Sequence, residues 1–138
     1  MCLVIKREDK PFKAKNDIVC YKAVCQSFGG NCWTGVWGFS NKTFPFDEVS
    51  EELGTNPVPY GDEERMYLRV DSGWLHSFEK REHCKTFADG VIGWRKKNRK
   101  GIGKIVVCKC VIPKGSLCYK EGGEIASTKI IVYKPNKK

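Results

Sequence analysis

The chain has 138 residues, with 25 Lys and Arg against 16 Asp and Glu, a formal net charge of +9. Apolar residues make up 41% and aromatic residues 12%, enough to fill the core of one domain and too many for a disordered chain. The length excludes a TIM barrel or two nucleotide-binding domains, and no stretch approaches the ~20 apolar residues of a membrane helix.

The first apolar run, Cys2 to Ile5, meets charge at once, whereas a signal peptide carries about 7–15 apolar residues. The expected location is therefore the cytoplasm, or the host cytoplasm for a viral protein, with no membrane partner. Residues 2–6 read as a strand, and the polar stretch ending at Pro11 as a turn. Residues 17–24 read as a second strand, with Ile18, Cys20 and Lys22 on one face and Val19, Tyr21 and Ala23 on the other. From Cys25 to Pro45 the chain is irregular, with glycines between Phe28, Trp33, Trp37, Phe39 and Phe44. The segment 47–53 reads as one helical turn or an edge strand, and Pro57 and Pro59 break what precedes them.

Residues 66–70 read as a strand, 71–73 as a turn, and 74–78 as a short strand or a helix entry. Ser77 is a suitable N-cap for a helix through Ala88, with Phe78, Cys84, Phe87 and Ala88 as its apolar stripe and Gly90 as its stop. The run 104–112 (KIVVCKCVI) is the strongest strand; alternation places Cys108 and Cys110 on one side with Val106 and Ile112. A turn at 113–115, a strand at 116–120, a turn at Gly122-Gly123 and a last strand at 129–134 complete the chain. These elements predict a single α+β domain over 1–138, a mainly antiparallel sheet of six or seven short strands with one main helix.

The eight cysteines are expected as free thiols, because the spacings lack C-x-x-C and the location is reducing. Cys108 and Cys110 read as small core residues. Cys25 and Cys32, across Gly29-Gly30-Asn31, are the pair whose context would allow a bridge. A metal site from Cys25, Cys32, His83 and Cys84 lacks ligand spacing, and Cys2 lacks the companions of an N-terminal nucleophile. No metal, cofactor or catalytic residue is assigned.

Charge is unevenly spread. Residues 1–69 hold 9 basic and 10 acidic side chains, and residues 70–138 hold 16 and 6, a difference of −1 against +10. Five cations fall within Arg95-Lys96-Lys97-Asn98-Arg99-Lys100, a run that reads as a solvated loop before the main strand. Arg95, Lys96, Lys97, Arg99, Lys100 and Lys104 are the candidate anion-binding residues, with backbone N–H groups at Gly101 and Gly103. Trp94 is a candidate base-stacking surface, and His76, among Trp74, Leu75 and Phe78, a candidate base or ribose contact.

Three segments carry a resemblance: the start through DIVCYK, GWLHSFEKREHCKTFA in the middle, and VVCKCVIPKGSLCYKEGGEIASTKIIV near the end. They resemble a family of small uncharacterised proteins of gut anaerobes, prophages and their phages, over about half the chain and not over residues 25–65. The resemblance implies a phage- or mobile-element-type accessory protein; the charge implies an anionic partner, a nucleotide-type small molecule or nucleic acid. The run Ile112-Pro-Lys-Gly115-Ser116-Leu-Cys-Tyr119 also resembles the later half of ADP-ribosyltransferase-like domains. That resemblance implies an alternative, an enzyme acting on a dinucleotide with His76 and Glu124, although E-x-E and an early R-G or H-G-T are missing. A third reading is an interaction protein that blocks a host protein complex through Trp33, Trp37, Phe39 and Phe44.

Overall fold

The computed structural model describes residues 3–6, 8–26, 32–33, 43–59, 67–70, 73–97 and 104–134. Their elements, in order, are β1 (Leu3–Lys6), β2 (Phe12–Lys13), β3 (Ile18–Gln26), β4 (Cys32–Trp33), β5 (Thr43–Phe44), β6 (Val49–Glu51), β7 (Val58–Pro59), β8 (Tyr67–Val70), β9 (Leu75–Phe78), α1 (Arg81–Lys97), β10 (Lys104–Ile112), β11 (Leu117–Glu121), β12 (Glu124–Ser127) and β13 (Lys129–Val132). The fold is α+β, with antiparallel pairing and one helix among the described residues. It has more strands than the six or seven expected. The additional ones include β2, β4, β5 and β7, two-residue pieces with no period to read, and β12, which falls where the sequence suggests only a link between a turn and the last strand.

The main sheet runs β2-β11-β12-β9-β3-β10-β13-β6, with β4 and β5 branching from β3; β1, β8 and β7 form a separate three-stranded sheet. Its centre is the nine-residue ladder of β3 on β10, from Lys104↔Gln26 to Ile112↔Ile18. Both strands alternate cleanly. Cys20 and Val24 on β3, and Cys108, Cys110 and Ile112 on β10, point inward and are fully buried. They join Leu75, Cys118, Ile125, Ile130 and Val132 in one cluster. All its members come from this sheet and its connections, so the sheet curls over its own inner face.

The outer face is covered in two places. Over β3, β9 and β10, α1 packs Cys84 and Ala88 against Ala23 and Phe78. Over β11 and β12, the small sheet packs Leu3, Ile5 and Val70 against Tyr119, Ala126 and Trp74. The indole of Trp74 lies 5.1 Å from the Tyr119 ring and donates to the Thr55 carbonyl at 2.6 Å.

Two expectations for the helix are corrected. Ser77 is not its N-cap; it lies inside β9, fully buried. The Lys80 carbonyl instead accepts from the Cys84 N–H at the helix start. Gly90 does not stop the helix, which continues through Gly93 to Lys97. Val91 is buried and Ile92 half-buried, so Cys84, Phe87, Ala88, Val91 and Ile92 extend one stripe at i, i+3, i+4, i+7 and i+8. That burial outweighs the roughly 1 kcal/mol that each glycine costs a helix. The tight turn at Gly122 and Gly123 does occur, with both φ values positive (57° and 83°), as a two-residue hairpin requires. The 47–53 segment resolves into an edge strand, β6.

Among the described cysteines, Cys20, Cys84, Cys108, Cys110 and Cys118 are thiols outside any disulfide, all buried. The hairpin of β3 and β4 pairs Cys25 with Trp33 and Gln26 with Cys32, so Cys25 and Cys32 are not cross-strand partners as expected. No helix among the described residues is long and apolar enough to cross a membrane.

Candidate functional site

The extended helix changes the setting of the basic run. Trp94, Arg95, Lys96 and Lys97 belong to the end of α1, not to a loop. The Lys97 cation there complements the partial negative charge of the helix C-terminus, which is a structural reason for its presence. Lys97 is exposed. Lys104 opens β10 opposite Gln26. Arg99, Lys100, Gly101 and Gly103 lie outside the described residues, as do Trp37 and Phe39; Trp33 and Phe44 are placed on β4 and β5.

Beside α1, the outer face of β3 and β10 forms an open groove of about 990 Å³. Its floor comes from the alternation that buries the cysteines on the other side. Tyr21 stands opposite Lys109, and Val19 opposite Val111. Val19 is 48% exposed, an apolar side chain left open where the helix does not reach. Arg81 and Lys85, one turn apart on α1, form one wall; Tyr133 and Lys134 follow β13 on the other side. Four cations (Arg81, Lys85, Lys109 and Lys134) share the lining with two acids, Asp47 and Asp89, so the groove is net positive. A search for contiguous charge runs misses these residues. Their signal is the period: Lys109 alternates with Cys108 and Cys110, and Arg81, Lys85 and Asp89 recur every four residues.

His76 lies elsewhere, on β9, half-buried and opposite Ala126. Glu124 is opposite Phe78 on the same pair of strands. Residues two apart share a face, so His76 and Glu124 are diagonal neighbours on the outer face. Burial raises the Glu124 carboxyl above its usual range, opposed by His83. A Cβ on Gly123 would come within 3.1 Å of His83 Nδ1, which places that imidazole over the hairpin turn. On the same rim, Lys120 Nζ meets Glu79 Oε1 at 2.9 Å. Among the described residues, no three His, Cys, Asp or Glu side chains converge to hold a metal ion.

Behind this face lies a cluster that no sequence motif marks as a site. Lys22 stands on the inner face between Cys20 and Val24, only 8% exposed, and opposite Cys108. Its Nζ donates to the main-chain carbonyl of His76 at 2.5 Å. Burial depresses its amine below the ordinary lysine value; Cys110, Cys20 and Cys84 act in the other direction. Cys20 faces Cys110 across the ladder. A hydrogen bond from the Cys110 thiol lowers the Cys20 value despite its burial, helped by Ser77 and Lys22. Cys110, the member that keeps its proton, is pushed up by that bond and by burial. The fully buried Ser77 hydroxyl lies near the Cys20 sulfur but makes no well-aligned hydrogen bond to any group.

Comparison with protein-family models, with curated proteins and with solved structures finds no match to this chain.

Proposed function

We propose that the protein is a binding module for a nucleotide unit, free or within a nucleic-acid strand, held without catalysis in the groove beside α1. The observation that supports this reading is a tyrosine-bearing apolar floor under Arg81, Lys85, Lys109 and Lys134. Aromatic faces stack on bases of any sequence, and surrounding cations take the phosphates. Arg95, Lys96, Lys97, Arg99, Lys100 and Lys104 would add charge, with Trp94 and His76 as further base or ribose contacts. The phage- or mobile-element setting rests on the resemblance of the DIVCYK, GWLHSF and CVIPKGSLCY segments.

Two arms separate the sources of the nucleotide. Anisotropy with a labelled single-stranded oligonucleotide should report binding that weakens steeply between about 50 and 200 mM salt, as counterion release requires. Thermal shift with cyclic and linear nucleotides should report a free ligand by a saturable rise in Tm. Lys85→Glu with Lys109→Glu should weaken whichever signal appears. Absence of both signals at low salt rejects the proposal.

A second reading, an ADP-ribosyltransferase-like enzyme, is favoured by one placement: His76 and Glu124 as diagonal neighbours on one face. Incubation with labelled NAD should then give hydrolysis or label transfer that Glu124→Gln removes; neither product appearing ends that reading.

A further inference from the structure

The inner cysteine pair is separate from the groove, and the binding proposal does not use it. We infer that Cys20 and Cys110 form an oxidation site that takes a peroxide and closes to a disulfide between the two central strands. The register carries the argument. Cys20 and Cys110 are direct cross-strand partners, both fully buried on the same face. Directly opposed residues of an antiparallel pair have Cα atoms about 4.5 or 5.5 Å apart, according to the type of pair. Both spacings lie inside the roughly 4.4–6.8 Å range of disulfides.

Cys84, Cys108 and Cys118 are not so placed. Cys108 is opposite Lys22, and Cys118 is opposite Ser127. Cys108 and Cys110 are two apart on one strand, at about 6.5–7 Å, the outer limit for a bridge. Cys84 comes from α1.

The surroundings divide the two sulfurs by role. Cys20 has the Cys110 thiol, the Ser77 hydroxyl and the Lys22 amine favouring its ionised form. The hydrogen bond to Cys20, together with burial, holds the proton on Cys110, whose Sγ also lies 3.4 Å from the Cys108 carbonyl oxygen, a second acceptor. The Ser77 hydroxyl lies beside the Cys20 sulfur and favours its thiolate; with both sulfurs fully buried, peroxide reaches them through local opening of the sheet.

The chemistry balances with a peroxide as oxidant. The Cys20 thiolate attacks one peroxide oxygen, the O–O bond breaks, and a sulfenic acid forms as hydroxide leaves. The Cys110 sulfur then attacks the Cys20 sulfur, the S–O bond breaks, and the thiol proton departs with the hydroxyl as water. The hydroxide of the first step takes up the proton that Cys20 had released. Two thiols lose two electrons, and hydrogen peroxide becomes two waters.

The folded, full-length chain is the material for the test. Trypsin places Cys20, Cys108 and Cys110 in separate peptides: residues 16–22 hold Cys20, 105–109 hold Cys108 and 110–114 hold Cys110. After treatment with hydrogen peroxide and quenching by alkylation, peptides 16–22 and 110–114 should appear linked, with a loss of about 2 Da relative to the two thiol peptides. The urea midpoint of the oxidised chain should rise and return on reduction. Cys110→Ser, which keeps a hydroxyl donor beside the Cys20 sulfur, should stop the reaction at a trappable sulfenic acid on Cys20. The proposal is overturned if both peptides stay fully alkylated, or if either cysteine links to another one first. The wild-type peptide map decides the matter even where the variant does not fold.

Discussion

Lys22 enters the core because it lies on the wrong parity for a surface residue. In DIVCYK the alternation that buries Cys20 and half-buries Ile18 also turns Lys22 inward, and the ladder with β10 leaves it opposite Cys108. The parity was legible in the sequence. Its consequence was not, because nothing local indicates that the His76 carbonyl, 54 residues away, accepts from the amine.

The buried amine makes stability depend on pH. Burial lowers the folded-state value of Lys22 from the ordinary 10.5. Between that lowered value and 10.5 the unfolded chain binds more protons, so stability rises with pH; below the window the full cost applies. Cys84 and Cys118 act oppositely. Their thiols are pushed from 9.0 up to about 12 and about 11, so the unfolded chain loses those protons first and stability falls above pH 9. Lys22→Met should therefore be more stable than the wild type near pH 7, with the difference shrinking as pH approaches 10.5. Urea midpoints of both proteins between about pH 6 and 11 check this; parallel curves would refute it.

At the scale of elements, the helix offers the clearest test. Gly90 and Gly93 are exposed, helical, and have nothing within 4 Å of a built Cβ. Gly90→Ala and Gly93→Ala should each stabilise by about 1 kcal/mol, because alanine loses less backbone entropy and meets no obstacle. Thermal melts should show a gain of a few degrees for each, and a loss for either would contradict the helical path.

The same glycines explain where the sequence misleads. A glycine after an apolar stripe usually ends a helix, and here the stripe resumes at Val91 and Ile92. Strands with a full period, such as 104–112, were legible because alternation is local. The pieces β2 and β7 were not: β2 pairs with β11, about a hundred positions on in the chain, and β7 pairs with β8. Two residues carry no pattern of their own.

Across the whole molecule, the sheet divides chemistry between its faces. Sulfur and the Lys22 amine face inward, while Tyr21, Tyr133 and four cations face the groove. A contiguous charge run draws attention to 95–100, whereas the groove assembles Arg81, Lys85, Lys109 and Lys134 from α1, β10 and the end of β13. Only the tertiary structure brings those together. Reversing Lys85 and Lys109 should therefore reduce the dependence of oligonucleotide affinity on salt, by about one unit of log–log slope for each phosphate no longer neutralised. An unchanged slope would place the phosphates elsewhere.

The ladder of β3 on β10 also has a history within each molecule, set by the order of synthesis. The last residue of β3 is Gln26 and the last of β10 is Ile112, so 86 further residues must be added before the pair can be completed. At about 5–20 residues per second this is a wait of roughly 4–17 s. During it the nine-residue strand acquires β9 on one edge and α1 on its outer face, but the edge that β10 will fill stays open. The nascent chain must keep that strand from other strands, by chaperone cover or by dilution, until its partner leaves the ribosome.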